Sequence, residues 1–86
     1  MYYVYILQSV EFQRYYVGHT DDVSRRLAEH NSGHTPSTKP YAPWRIVYTE
    51  SYTTKQDAYK RERQIKSYKG GRAFKALLNN TVGGVA

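Results

Sequence analysis

One acidic side chain stands where a helix calls for an apolar one. Ala58, Ile65 and Tyr68 form the apolar stripe of a helix predicted from about Thr53 to Tyr68, and Glu62 falls on the same stripe, between Ala58 and Ile65. A buried carboxylate is costly unless a cation or several donors meet it. Two kinds of partner answer that need: an arginine of the same core edge in a structural ion pair, or a divalent metal. Mg²⁺ suits a lone carboxylate, because it commonly takes one or two protein carboxylates and keeps its remaining sites for water and substrate phosphate.

The other groups able to do chemistry are tyrosines, one arginine and one histidine. Of the ten tyrosines, Tyr3, Tyr5, Tyr15 and Tyr16 lie in two short strand-like runs. They serve either as sheet aromatics or as phenols that take part in proton transfer. Arg25 and Arg26 read as a solvated pair, except that Arg26 shares the helix side of Val23 and His30. His30 reads as a hydrogen-bonded core-edge residue. Gly18, closing a strand, permits close backbone approach.

Several familiar arrangements are absent. Gly70-Gly71 lacks the spacing and the Lys-Ser/Thr pair of a phosphate loop. His30 and His34 flank Gly33 with no third ligand in sight, which makes a poor zinc site. There is no cysteine, so disulfides and thiolate metal centres are excluded. No serine carries a recognisable histidine partner.

The elements that must position these residues follow from pattern. Tyr2 to Leu7 is an aromatic and β-branched run, apolar on both faces, as in a strand covered on both sides. Arg14 to His19 is the return arm of a hairpin. Thr20 or Asp21 can cap a helix from about Asp22 to Asn31, with Val23, Leu27 and His30 inward. Three prolines and a glycine make 31–43 a loop. Trp44 to Tyr52 is a third strand with Trp44, Ile46 and Tyr48 on one face. Thr53 with Gln56, or Thr54 with Asp57, opens the helix that bears Glu62. Gly70-Gly71 breaks that helix. A short one spans 72–79, with Ala73, Phe74, Leu77 and Leu78 inward. The class is α+β, order ββαβαα, with residues 1–80 as one domain and 81–86 as a flexible tail.

Eighty-six residues make one small domain. The longest apolar run, Met1 to Leu7, is far short of the roughly 20 residues that span a membrane, and no secretory leader is legible, so a cytoplasmic location is expected. Charge is more telling. Residues 1–54 carry five basic and five acidic groups, residues 55–86 eight and two, so the whole net charge of +6 belongs to the second segment. Lys55, Lys60, Arg61, Arg63, Lys66, Lys69, Arg72 and Lys75 are the cations. They form either a solvated helix face or a surface for a polyanion such as nucleic acid.

Tyr3-Val4-Tyr5 and Tyr16-Val17-Gly18, with ten residues between Tyr5 and Tyr16, resemble the two namesake motifs of the GIY-YIG nuclease superfamily, Tyr3 standing for its glycine and Val4 for its isoleucine. Gly18-His19-Thr20, Arg26-Leu27 with His30-Asn31, and Glu62 within Arg61 to Lys66 are similar to the segments that follow. The resemblance implies a three-stranded antiparallel sheet flanked by helices and hydrolysis of DNA phosphodiesters with one Mg²⁺ or Mn²⁺, in repair or recombination. It implies that Tyr5 and Tyr16 border the scissile phosphate, Tyr16 helping to activate water. It places Arg26 on the nonbridging oxygens, His30 at a phenol, and Glu62 on the metal. Asn79 comes too late in the chain to take the family's asparagine role. The chain resembles small stand-alone bacterial members, so a separate targeting protein is a conceivable partner, and DNA is expected over RNA. The alternative is a nucleic-acid-binding module with slow or partner-dependent cleavage; a purely structural basic protein is a third reading, disfavoured by the inward Glu62.

Overall fold

A computed structural model describes residues 1–85, with side chains through Asn79. The flexible tail expected over 81–86 lies outside the residues described in full. The elements are β1 (Tyr2–Ser9), β2 (Tyr15–Thr20), α1 (Val23–Asn31), a 3-10 turn (Lys39–Tyr41), β3 (Trp44–Tyr52), α2 (Lys55–Lys66) and α3 (Arg72–Val85). The three strands form one antiparallel sheet in the order β2-β1-β3, the α+β arrangement expected from the sequence.

The central strand β1 is apolar on both faces because each face has its own core. Val4 and Ile6 point into one with Val17, Ala58, Ile65 and Phe74, between the sheet and α2 and α3. Tyr5 and Leu7 point into the other with Trp44, and Tyr16, Val23 and Leu27 of β2 and α1 pack against it. Each large side chain fully buried this way stabilises the fold by roughly 1.5–3 kcal/mol before entropy is counted.

Local details depart from the pattern reading in three places and settle one choice it left open. The N-cap of α1 is Asp22, whose side chain accepts from the Arg25 amide at 3.0 Å, so the helix starts one residue later than expected. Of the two caps open to α2, Thr54 is used, accepting from the Asp57 amide at 3.1 Å. On β3, Trp44, Ile46 and Tyr48 do not share a face: the β1–β3 register shifts between Ile6 and Leu7, leaving Val47 unmatched. Trp44 therefore joins the α1-side core, Val47 and Tyr48 join the α2-side core, and Ile46 is exposed. Ala73 is also exposed, Phe74 alone being buried among the described side chains of α3, and that helix runs on to Val85, past the end expected at Asn79.

Candidate active site at the β2 edge

Alternation along the strands sorts the candidate residues onto two sides of the sheet. Tyr5, from β1, is 1% exposed, and its phenol lies 3.1 Å from Nε2 of His30, which is itself 0% exposed. Nδ1 of His30 is 2.8 Å from the Thr38 hydroxyl. The Tyr16 ring stands 6.2 Å from that of Tyr5 and 4.6 Å from the imidazole. Gly18 makes this stack possible: a Cβ there would sit 2.6 Å from the Tyr5 phenol oxygen and 3.1 Å from Cε2 of Tyr16. Arg26 reaches the same group from α1, with Nη1 on Glu29 Oε1 at 2.8 Å. Tyr3 is partly buried and pairs across the sheet with Thr20 and Ser51.

The electrostatics of this side are set by burial and by the Arg26 guanidinium. Burial first, then Tyr16, push the Tyr5 phenol up to about 12, against the pull of the Arg26 guanidinium. Burial and then Arg26 lower the His30 imidazole, so it stays neutral at neutral pH. Arg26 is held protonated chiefly by Glu29, with burial opposing and Tyr5 assisting. Tyr5 therefore keeps its proton. Tyr16 is only partly buried, and the residue contributes to the lining of an open groove of about 290 Å³ with Lys66, Lys69 and Phe74.

Glu62 is 8% exposed and sits on the other side of β2. Its Oε1 lies 2.5 Å from Nδ1 of His19, and its Oε2 accepts from Nζ of Lys66 at 2.7 Å. Of the two kinds of partner left open, the arginine is not the one found: a lysine one turn on and a histidine from β2 take its place. Burial pulls this carboxyl up, but Lys66 and then His19 more than offset it, leaving the acid below its ordinary range and ionised. The Glu62 charge is also felt at Tyr5, where it opposes ionisation. Beside Glu62 opens a groove of about 570 Å³ lined by Tyr59, Arg63, Lys66 and Ser67.

These donors fit a divalent ion of the Mg²⁺ kind. Among the described residues no three of His, Cys, Asp and Glu cluster into an all-protein cage. A single ionised carboxylate at an open groove, once its contacts with Lys66 and His19 give way, is instead enough for a largely hydrated ion shared with a phosphate.

The expected cations divide by position. Arg63, Lys66 and Lys69 line the two grooves next to Glu62 and Tyr16. Lys55 lines a cleft with His19, and Lys75 another with Arg45. Lys60 and Arg72 are exposed. Arg61 is committed elsewhere, donating to Glu50 from Nε and Nη2 at 2.9 Å each. His19 and Thr38 carry no role in the sequence reading, although His19 stands inside a quoted motif and Lys66 at the i+4 position from Glu62.

Gly18 lies within β2, paired with Tyr5, and does not close the strand as expected. A sheet whose first two strands bring two tyrosines together over such a glycine, with an arginine on the following helix, defines a class, and direct comparison agrees. A model of the GIY-YIG catalytic domain matches residues 1–73, and this chain belongs to that nuclease family. GIY-YIG nucleases are generally metal-dependent, and the domain implies a nucleic-acid substrate. A UPF0213 protein of Halobacterium salinarum is 40% identical over 67 residues, 77% of this chain and 86% of the relative. One of Natronomonas pharaonis is 34% identical over 80 residues, 92% and 93% of the two chains. The solution NMR structure of a UPF0213 protein from Bacillus halodurans matches with a TM-score of 0.52 at 34% identity, covering 93% of this chain and 84% of that one. Among the described residues no helix is long and apolar enough to cross a membrane.

Proposed function

We propose that this chain is a metal-dependent endonuclease that hydrolyses DNA phosphodiester bonds with low sequence specificity, in DNA repair or recombination. The observation that carries the reading is the placement of Arg26 beside a phenol pair whose inner member is held protonated by burial and then by Tyr16, and lies 3.1 Å from His30. Arg26 takes the nonbridging oxygens, where charge accumulates in the transition state. Tyr16, the outer phenol, borders the scissile phosphate and takes the proton of the attacking water in its phenolate form, which a neighbouring guanidinium or metal ion would favour. Tyr5 and His30 stand behind it and orient the pair. Glu62 would hold Mg²⁺ or Mn²⁺, which supplies Lewis-acid stabilisation of the departing oxygen when bound. Lys66, freed from Glu62, joins Arg63 and Lys69 on the strand backbone, contacts that position without reading bases.

The test is cleavage of branched, single-stranded and duplex DNA with Mg²⁺ or Mn²⁺. Arg26→Ala and Glu62→Gln, each checked for folding by circular dichroism, are expected to lose at least about 10²-fold in rate. Undiminished rates in both would discard the assignment. A second reading, binding with slow or partner-dependent cleavage, draws on both Glu62 oxygens being occupied by Lys66 and His19. It predicts salt-sensitive DNA or RNA binding without turnover.

A further inference from the structure

Thr38 is held more tightly than a residue of a long connection requires. It lies between α1 and β3 yet is 1% exposed. Trp44 Nε1 donates to its carbonyl at 2.9 Å, and its own amide donates to the Thr35 carbonyl at 3.1 Å. The Asn31 side chain in turn clamps the Trp44 backbone, accepting from its amide at 2.6 Å and donating to its carbonyl at 3.1 Å. The result is a hydroxyl fixed 2.8 Å from Nδ1 of a fully buried histidine.

A neutral imidazole carries one N–H, and donor counting decides where it is. With the proton on Nδ1, His30 donates to the Thr38 oxygen, and the Thr38 O–H donates to the Thr35 carbonyl at 3.2 Å. Nε2 then accepts from the Tyr5 phenol at 3.1 Å, so every proton has an acceptor. With the proton on Nε2, His30 donates to the Tyr5 oxygen, and the phenol proton needs another acceptor. Tyr5 is buried beside the Arg26 guanidinium, which offers only donors. An orphaned buried O–H costs about 1–3 kcal/mol, and among the described residues no buried side-chain polar atom lacks a partner.

We infer that Thr38 is a positioning residue that fixes His30 as the Nδ1–H tautomer, and so turns the lone pairs of the Tyr5 phenol, rather than its proton, towards Arg26. In the opposite tautomer the phenol presents its hydrogen to a cation, which loosens the group that grips the phosphate. The functional half of this inference rests on the nuclease reading above; the tautomer half does not.

The experiment is ¹⁵N NMR of the histidine side chains in the full chain without DNA, alongside the cleavage assay. The wild-type protein is expected to show His30 protonated at Nδ1 and bare at Nε2. Thr38→Val, similar in shape but with no acceptor, moves proton occupancy to Nε2 and slows cleavage at least about 10-fold. Thr38→Ser restores both. A wild-type Nε2–H tautomer overturns the inference, as does a Thr38→Val protein with an unchanged tautomer. If Thr38→Val does not fold, the wild-type tautomer and its retention in Thr38→Ser decide the matter. A chain that cleaves nothing yet holds His30 as Nδ1–H removes the nuclease reading and leaves the role of Thr38 in setting the tautomer standing.

Discussion

Gly18 shows how much of the site depends on a missing methyl group. A Cβ at this position would meet the Tyr5 phenol oxygen at 2.6 Å and Cζ at 2.8 Å, and Tyr5 is too buried to swing away. Gly18→Ala must therefore shift the strand or dislodge the phenol from His30. The expected cost is about 1–3 kcal/mol of stability, the usual penalty for overpacking. Cleavage falls in the fraction that remains folded. A urea midpoint and rate equal to wild type would refute the close-packing account. The residues of this stack were readable in the sequence because strand alternation puts Tyr5 on one face and helical spacing joins Arg26 to His30. His19 and Thr38 were not, since each meets its partner across the fold: His19 reaches Glu62 from another element, and Thr38 lies in a proline-rich loop with no periodicity.

Strand and helix boundaries were legible to within a few residues except at the end of α3, which runs to Val85 rather than Asn79, and the face assignments on β3 were not legible. Strict alternation was the only guide there, and an extra residue opposite Ile6 and Leu7 breaks it. The same strand carries a clasp that single-residue patterns could not announce. Glu50 accepts from the phenols of Tyr48 and Tyr52 and from Arg61 of α2, tying that helix to the far edge of the sheet. Burial raises the Glu50 carboxyl, but Arg61, Tyr48 and Tyr52 outweigh it and leave it lowered. Tyr48 and Tyr52 are pushed up to about 12 by burial first and Glu50 second. The signs set two limbs of stability. A lowered carboxyl stabilises above its unfolded value near 4.3, and that contribution is lost as pH falls through its folded value. Raised phenols stabilise fully below about 10, and theirs is lost as pH rises towards 12. Glu50→Gln is expected to flatten the acid limb and let two tyrosines titrate closer to 10, while Tyr5 still ionises late. Phenolate absorbance followed with circular dichroism reads this, and titration curves identical to wild type would refute the clasp.

At the scale of the whole molecule the question is where a net charge of +6 acts. Sequence places it in residues 55–86 but cannot say which way each cation faces. The fold spends Arg61 on Glu50 and spreads Lys55 and Lys75 to separate clefts. Arg63, Lys66 and Lys69 remain along two open grooves that meet at Lys66, running past Glu62 to Tyr16. A polyanion seated there without metal, Lys66 staying on Glu62, would displace counterions at Arg63, Lys69 and Arg26, three phosphates and not eight. Counterion release then predicts that log K for duplex DNA falls with log[salt] at a slope of about −3, since each contact contributes roughly −0.9. The measurement belongs in EDTA, where binding is read without turnover. Lys69→Ala is expected to reduce the slope by about 1, whereas Lys75→Ala leaves it unchanged. A wild-type slope near −7, or equal effects of the two variants, would mean that the basic segment acts as a diffuse cloud. In that case the approach to the edge of β2 would owe nothing to the grooves, and the strand backbone would have no preferred path to Arg26.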